Sequence, residues 1–169
     1  MSGNIDPQQL PYRPCVGIML INAQGLVWVG NRINNTEAVT GETFTWQMPQ
    51  GGIDEGEKPR VAAFREMKEE IGTDKAEVLG KSEGWITYDL PAELVGKALK
   101  GKYRGQKQKW FALRFTGTDA DFDLTADAHQ EFSEWRWAHV DELIALVVPF
   151  KRGVYKEVVA QLGHFAAPA

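Results

Sequence analysis

A chain of 169 residues, 43% hydrophobic and 25% charged, has room for one domain with a real core and is no disordered, collagenous or coiled-coil sequence. Its formal net charge of −4 argues against a basic protein that coats nucleic acid. The single cysteine, Cys15, excludes an intrachain disulfide or a cysteine-built zinc cluster and fits a reducing cytoplasm.

Residues 1–10 lack a cationic stretch followed by an apolar run, so no secretory leader is expected. The stretches Cys15–Ile21 and Leu143–Phe150 fall far short of the roughly 20 residues that span a bilayer. One domain over 1–169 is expected, with loose ends at 1–10 and 164–169.

Val16–Ile21 and Leu26–Val29 are short apolar runs joined by the turn chemistry of Asn22-Ala23-Gln24-Gly25, which predicts a β-hairpin. Ile33–Phe44 is polar and predicts a surface loop. Trp46–Pro49 reads as an extended piece leading into Gly51-Gly52. From Pro59 to Ile71 the apolar residues Phe64, Met67 and Ile71 recur at helical spacing. Pro59 suits the first turn and Gly72 the stop. Lys109–Phe115 and Glu134–Ala138 predict strands, and Val140–Val147 and Val154–Leu162 predict two closing helices. Strands and helices mix without regular βαβ alternation. The expected class is therefore α/β in the broad sense (α+β), a mixed sheet with helices on its faces.

The Pro59–Ile71 helix breaks a local rule. Glu66, Glu69 and Glu70 sit at i, i+3 and i+4, on a narrow face opposite much of the Phe64/Met67/Ile71 face. Three crowded carboxylates repel one another, and the C-terminal half of a helix disfavours negative charge. A solvated acidic face is one explanation. A hard divalent cation is the other, and oxygen ligands without histidine or cysteine favour Mg²⁺ or Mn²⁺ over zinc.

The spacing Gly51-x5-Glu57-x7-Arg65-Glu66-x2-Glu69-Glu70-x-Gly72 resembles the box of the Nudix hydrolases, over residues 51–73. Thr73 departs from it, standing where that family usually carries an aliphatic residue. The resemblance implies an α/β/α sandwich with a mixed sheet. It implies Mg²⁺, or Mn²⁺, on Glu66, Glu69 and Glu70, aided by Gly51. It also implies structural roles for Gly52, Glu57, Arg65 and Gly72, with Arg65 pairing with Glu57.

Further segments are similar to the bacterial RNA 5′-pyrophosphohydrolases and the related asymmetric diadenosine tetraphosphate hydrolases. They are Tyr12-Arg13-Pro14, Trp46–Ile53, Trp85–Pro91, Gly105–Phe111, Glu131–Trp137 and Phe150–Tyr155. This likeness implies Glu131 as an extra carboxylate at the metal cluster. It implies Gln106 as a phosphate contact and Phe150 with Lys151 as a base-and-cation pair. Arg13, Arg32, Thr45, Gln50, Tyr88 and Val148 follow as further substrate-side positions. Taken alone, Glu131 also reads as a surface residue and Phe150 as core.

Lys97–Lys109 holds six lysines and arginines and no acid. It suits a polyphosphate or an RNA backbone, or a solvated loop. Because residues from Gln106 onward alternate, only one parity can face a site, and Lys107 and Lys109 can point to solvent instead. Trp135 and Trp137 read as core. His129 reads as a surface residue, and Asp119–Asp127 lacks the glycine and closing glutamate of a calcium loop.

The implied reaction is Mg²⁺-dependent hydrolysis of a phosphoanhydride, with Glu70 or Glu66 accepting a proton from the attacking water. The expected partners are 5′-triphosphorylated RNA or dinucleoside polyphosphates, with neither DNA nor a membrane. On RNA the products are a 5′-monophosphate end and pyrophosphate. On diadenosine tetraphosphate they are AMP and ATP. A non-catalytic nucleotide or RNA sensor on the same fold is the remaining alternative.

Overall fold

A computed structural model describes residues 6–33 and 45–169. The predicted loop Ile33–Phe44 lies outside the described residues apart from Ile33. The strands are β1 (Tyr12–Ile21), β2 (Val27–Arg32), β3 (Trp46–Gln47), β4 (Gln50–Gly52), β5 (Ala76–Lys81), β6 (Ile86–Asp89), β7 (Gly105–Phe115) and β8 (Phe132–Ala138). The helices are α1 (Pro59–Ile71), α2 (Leu143–Leu146) and α3 (Arg152–Leu162).

One mixed sheet organises the fold, in the order β3-β2-β1-β7-β5, with β4 on β1, β6 on β7 and β8 on β2. β1 and β7 run parallel from Tyr12 opposite Gly105 to Ile21 opposite Arg114. β1 is buried on both faces, which is why it reads as one apolar run. Ile18 and Leu20 face α1, packing with Ala62, Ala63, Met67 and Ile71. Met19 and Ile21 face the other way, toward Val154, Tyr155, Val158 and Leu162 of α3. The result is a helix–sheet–helix stack.

α1 has the predicted bounds. Gly72 closes it in the left-handed region at φ 86°, its N–H on the Lys68 carbonyl. Thr73 is buried, and its hydroxyl accepts the Lys75 N–H at 3.2 Å, so the polar substitute in the box is satisfied by a local turn.

The acidic face differs from expectation. Ala62, Ala63, Met67 and Ile71 are buried while Phe64 is only half-buried, and Glu70 is buried with the apolar set. Ala63, Met67 and Glu70 fall at i, i+4 and i+7, so Glu70 lies on the core stripe and not across from it.

Two further differences follow. β5 and β6 were not predicted: β5 is only half-buried, and β6 is four residues long. β7 begins at Gly105, four residues before its expected start, because two of its buried residues are glutamines. At the C-terminal stretch, Arg114 Nη1 donates to Ala167 O at 3.0 Å and Ala169 N to Ala23 O at 2.9 Å. Among the described residues no helix is long and apolar enough to cross a membrane.

Candidate active site

A cavity of about 290 Å³ opens where α1 meets the ends of β1, β4 and β7. Arg13, Arg32, Gln50, Gly51, Gly52, Glu66, Glu69, Glu70, Gln106 and Glu131 line it, ten of the positions the sequence had singled out.

Arg65 organises its outer side. Nε and Nη2 reach the two Glu57 carboxylate oxygens at 2.8 Å each, a bidentate pair. Nη2 also donates to Gly52 O at 2.9 Å, and Nη1 reaches Glu66 Oε1 at 2.9 Å and Glu69 Oε2 at 3.3 Å. The loop Gly52–Glu57 is thereby fastened to α1. Glu57 also accepts the Asp54 N–H at 3.0 Å. Hydrogen bonds from Arg65, then from the Asp54 backbone, hold its carboxyl down at about 2.

The inner side has the opposite character. Glu70 Oε2 is buried and accepts no hydrogen bond. Burial pushes the Glu70 carboxyl well above the ordinary carboxylate range, and the charges of Glu66 and Glu131 push it further the same way. Arg32 and a backbone hydrogen bond from Gln50 oppose them. Burial also raises Glu66, against Arg65. Gly51 makes the close approach possible: a Cβ there would stand 2.0 Å from Glu66 Cδ.

These residues fit a hard divalent cation, by the chemistry of an all-oxygen donor set and the orphaned Glu70 oxygen. Glu66, Glu69, Glu70 and Glu131 would hold it. Among the described residues no three acidic, histidine or cysteine side chains already converge as a finished cage, because Arg65 draws Glu69 and one Glu66 oxygen outward.

The remaining predicted positions lie elsewhere. Lys151 is 1% exposed, with Nζ 3.3 Å from Gln47 Oε1 and 5.8 and 5.9 Å from the Tyr88 and Phe150 ring centroids. Phe150 and Lys151, expected as a base-contacting pair, pack with Tyr88 beside the cavity, where Gln47 links them to its wall. Val148 packs against the same apolar cluster. Thr45 donates its hydroxyl to Asn31 and its carbonyl accepts the Arg32 N–H at 3.1 Å, so it braces β2.

β7 shows the expected parity. Gln106 and Gln108 point inward, while Lys107 and Lys109 stand 4.6 and 4.7 Å over the Trp85 ring. Trp135 and Trp137 pack with Trp28, Phe115 and Phe122.

Sequence reasoning missed four lining residues: Gln47, Leu99, Asp127 and His129. Asp127 and His129 precede Glu131 at two-residue steps, a signal available once Glu131 is placed. The His129 side chain is 78% exposed, with Nε2 3.5 Å from Glu131 Oε1. Leu99 and Lys100 adopt left-handed backbone, φ 53° and 60°, which no residue type announced.

The NUDIX domain model matches residues 11–158. The chain belongs to the Nudix family. This Nudix domain is 60% identical over 159 residues to the RNA pyrophosphohydrolase of Rhodospirillum rubrum, covering 94% of this chain and 92% of that one. It is 52% identical to the RNA pyrophosphohydrolase of Brucella anthropi, covering 98% and 97%. Among solved structures, the E. coli dihydroneopterin triphosphate pyrophosphohydrolase aligns with a TM-score of 0.63 at 17% identity, over 89% of this chain and 99% of that one. A C. elegans Ap4A hydrolase complex aligns at 0.62 and 18%, over 90% and 99%. At such identities these two show a shared fold. The family generally uses divalent cations.

Proposed function

We propose that this Nudix domain is a Mg²⁺-dependent pyrophosphohydrolase, with Mn²⁺ as a substitute, that removes pyrophosphate from 5′-triphosphorylated RNA. The observation that carries the reading is 52–60% identity, across nearly the whole chain, to proteins named RNA pyrophosphohydrolase. The buried Glu70 carboxyl, one oxygen of which accepts no hydrogen bond, supports it as a site held ready for charge.

Glu66, Glu69, Glu70 and Glu131 would hold the cation. When bound, such a cation supplies Lewis acidity toward phosphate oxygens and the attacking water. Arg13, Gln50 and Gln106 donate to the phosphate chain from the opposite wall. Glu70 or Glu66 accepts a proton from water as the new O–P bond forms in line. The anhydride P–O bond breaks, pyrophosphate departs, and the RNA keeps a 5′-monophosphate. Arg65 does not touch substrate; it fixes the Gly51–Glu57 loop against α1.

The test is side-by-side turnover of a 5′-triphosphorylated oligoribonucleotide and diadenosine tetraphosphate with Mg²⁺. The proposal expects pyrophosphate release and a higher kcat/KM on RNA. Preference for the dinucleotide, giving AMP and ATP, would reassign the substrate, and tight binding without turnover of either would make the protein a sensor.

A further inference from the structure

Gln106, Gln108 and Trp110 follow one another on the inward face of β7. Trp110 is fully buried, and its indole lies across β1 at Gly17, where a Cβ would come within 2.3 Å of the ring. Indole nitrogen can only donate. Trp110 Nε1 donates to Gln108 Oε1 at 2.8 Å, which settles the direction of the Gln108 amide. Gln108 is 1% exposed, and its Nε2 has two hydrogens left to place. It donates one to Gln106 Oε1 at 2.8 Å and the other to Gln50 Oε1 at 2.9 Å. Both of those amides line the cavity.

We infer that Gln108 is a positioning residue: Trp110 and Gln108 form a one-way relay that turns the NH₂ groups of Gln50 and Gln106 toward the substrate's phosphate oxygens. The inference rests on the phosphate substrate proposed above. Each carbonyl oxygen is consumed by Gln108, so each Nε2 is the group presented to the cavity. Phosphate oxygens only accept hydrogen bonds. A flipped amide would meet them with a carbonyl oxygen, replacing attraction by repulsion. A glutamine whose carbonyl has no partner adopts either orientation before the anion arrives; these two cannot flip without leaving Gln108 with a buried N–H and no acceptor. The relay thus supplies fixed donors without adding positive charge beside the carboxylates that must hold a cation.

The experiment compares the wild type with Gln108→Met, which keeps length and volume but removes both polar ends. Two quantities are measured with Mg²⁺ present: KM and kcat on a 5′-triphosphorylated oligoribonucleotide, and the Kd of inorganic pyrophosphate by calorimetry. KM and Kd should rise about tenfold while kcat changes less than about twofold, the signature of lost ground-state phosphate binding. In a Gln50→Leu/Gln106→Leu background the same substitution should add nothing. Trp110→Phe, which removes the indole donor and keeps an aromatic ring, serves if Gln108→Met does not fold, and should shift KM and Kd in the same direction.

Unchanged KM and Kd in the folded variant, or an equal rise in the double-leucine background, would overturn the relay. If the wild type fails to hydrolyse RNA, the substrate assignment fails alone, because pyrophosphate affinity still reports on the amides.

Discussion

Two glutamates of the same motif, thirteen residues apart, live in opposite electrostatic worlds. Glu57 is held by both arms of Arg65 and by a backbone N–H, and its carboxyl titrates near 2. Glu70 is buried, one oxygen has no hydrogen-bond partner, and two neighbouring carboxylates push its proton affinity up. Burial without a partner costs stability; pairing with arginine restores it. The motif therefore contains a structural clamp and an unbalanced site side by side, joined through Glu66, which gives one oxygen to Arg65 and raises Glu70 with its charge. The difference separates residues that shape the loop from residues that wait for charge.

The sharpest way to break this comparison is Glu70→Gln. Removing this carboxylate should lower kcat by on the order of 10²–10⁴. The same change should raise the melting temperature at neutral pH without divalent ions, because the amide needs neither a buried charge nor proton uptake on folding. A folded carboxyl raised above its unfolded value contributes stability below the ordinary glutamate range and loses it as pH rises through the folded value. The wild type should therefore lose this contribution as pH climbs above about 4.3, and Glu70→Gln should not, as thermal melts across pH will record.

Gly51→Ala comes next. Its methyl would displace the Glu66 carboxyl by an ångström or more, costing activity on the order of 10², with circular dichroism unchanged.

On the clamp side, Arg65→Leu leaves Glu57 and Glu66 without their cation and should cost about 1–3 kcal/mol in urea unfolding. It should also erase a pH dependence of the opposite sign. Glu57's lowered value contributes stability above the ordinary glutamate range that is lost as pH falls toward about 2. The smallest effect is expected at Lys75→Ala. Its pair with Asp121 spans 3.0 Å with the lysine 57% exposed, and its loss should cost less than about 0.5 kcal/mol.

The motif's residue types and spacing made α1, its stop at Gly72 and the carboxylates of the site readable from sequence. Local signals sufficed there: a proline, a glycine and a charge pattern. What stayed hidden depends on contacts far apart in the chain. Glu70 faces the core because Ala62 and Ala63, not Phe64, form the buried stripe, and small residues give a weak periodic signal. Gln106 is legible as a site-facing residue, but the buried links from Gln108 to Trp110 and Gln50 depend on pairing through β1. Lys151 reads as the cation beside Phe150, and its burial against Gln47, 104 positions away, is a long-range contact that no local pattern announces.

The central claim is that the inner carboxylates are left unbalanced so that a divalent cation can balance them. The most direct measurement is the shift in melting temperature on adding Mg²⁺ or Mn²⁺ at pH 7.5, in the wild type and in Glu70→Gln. A clear rise in the wild type that is lost in Glu70→Gln is the predicted result. Equal shifts in the two proteins, or none in either, would contradict it.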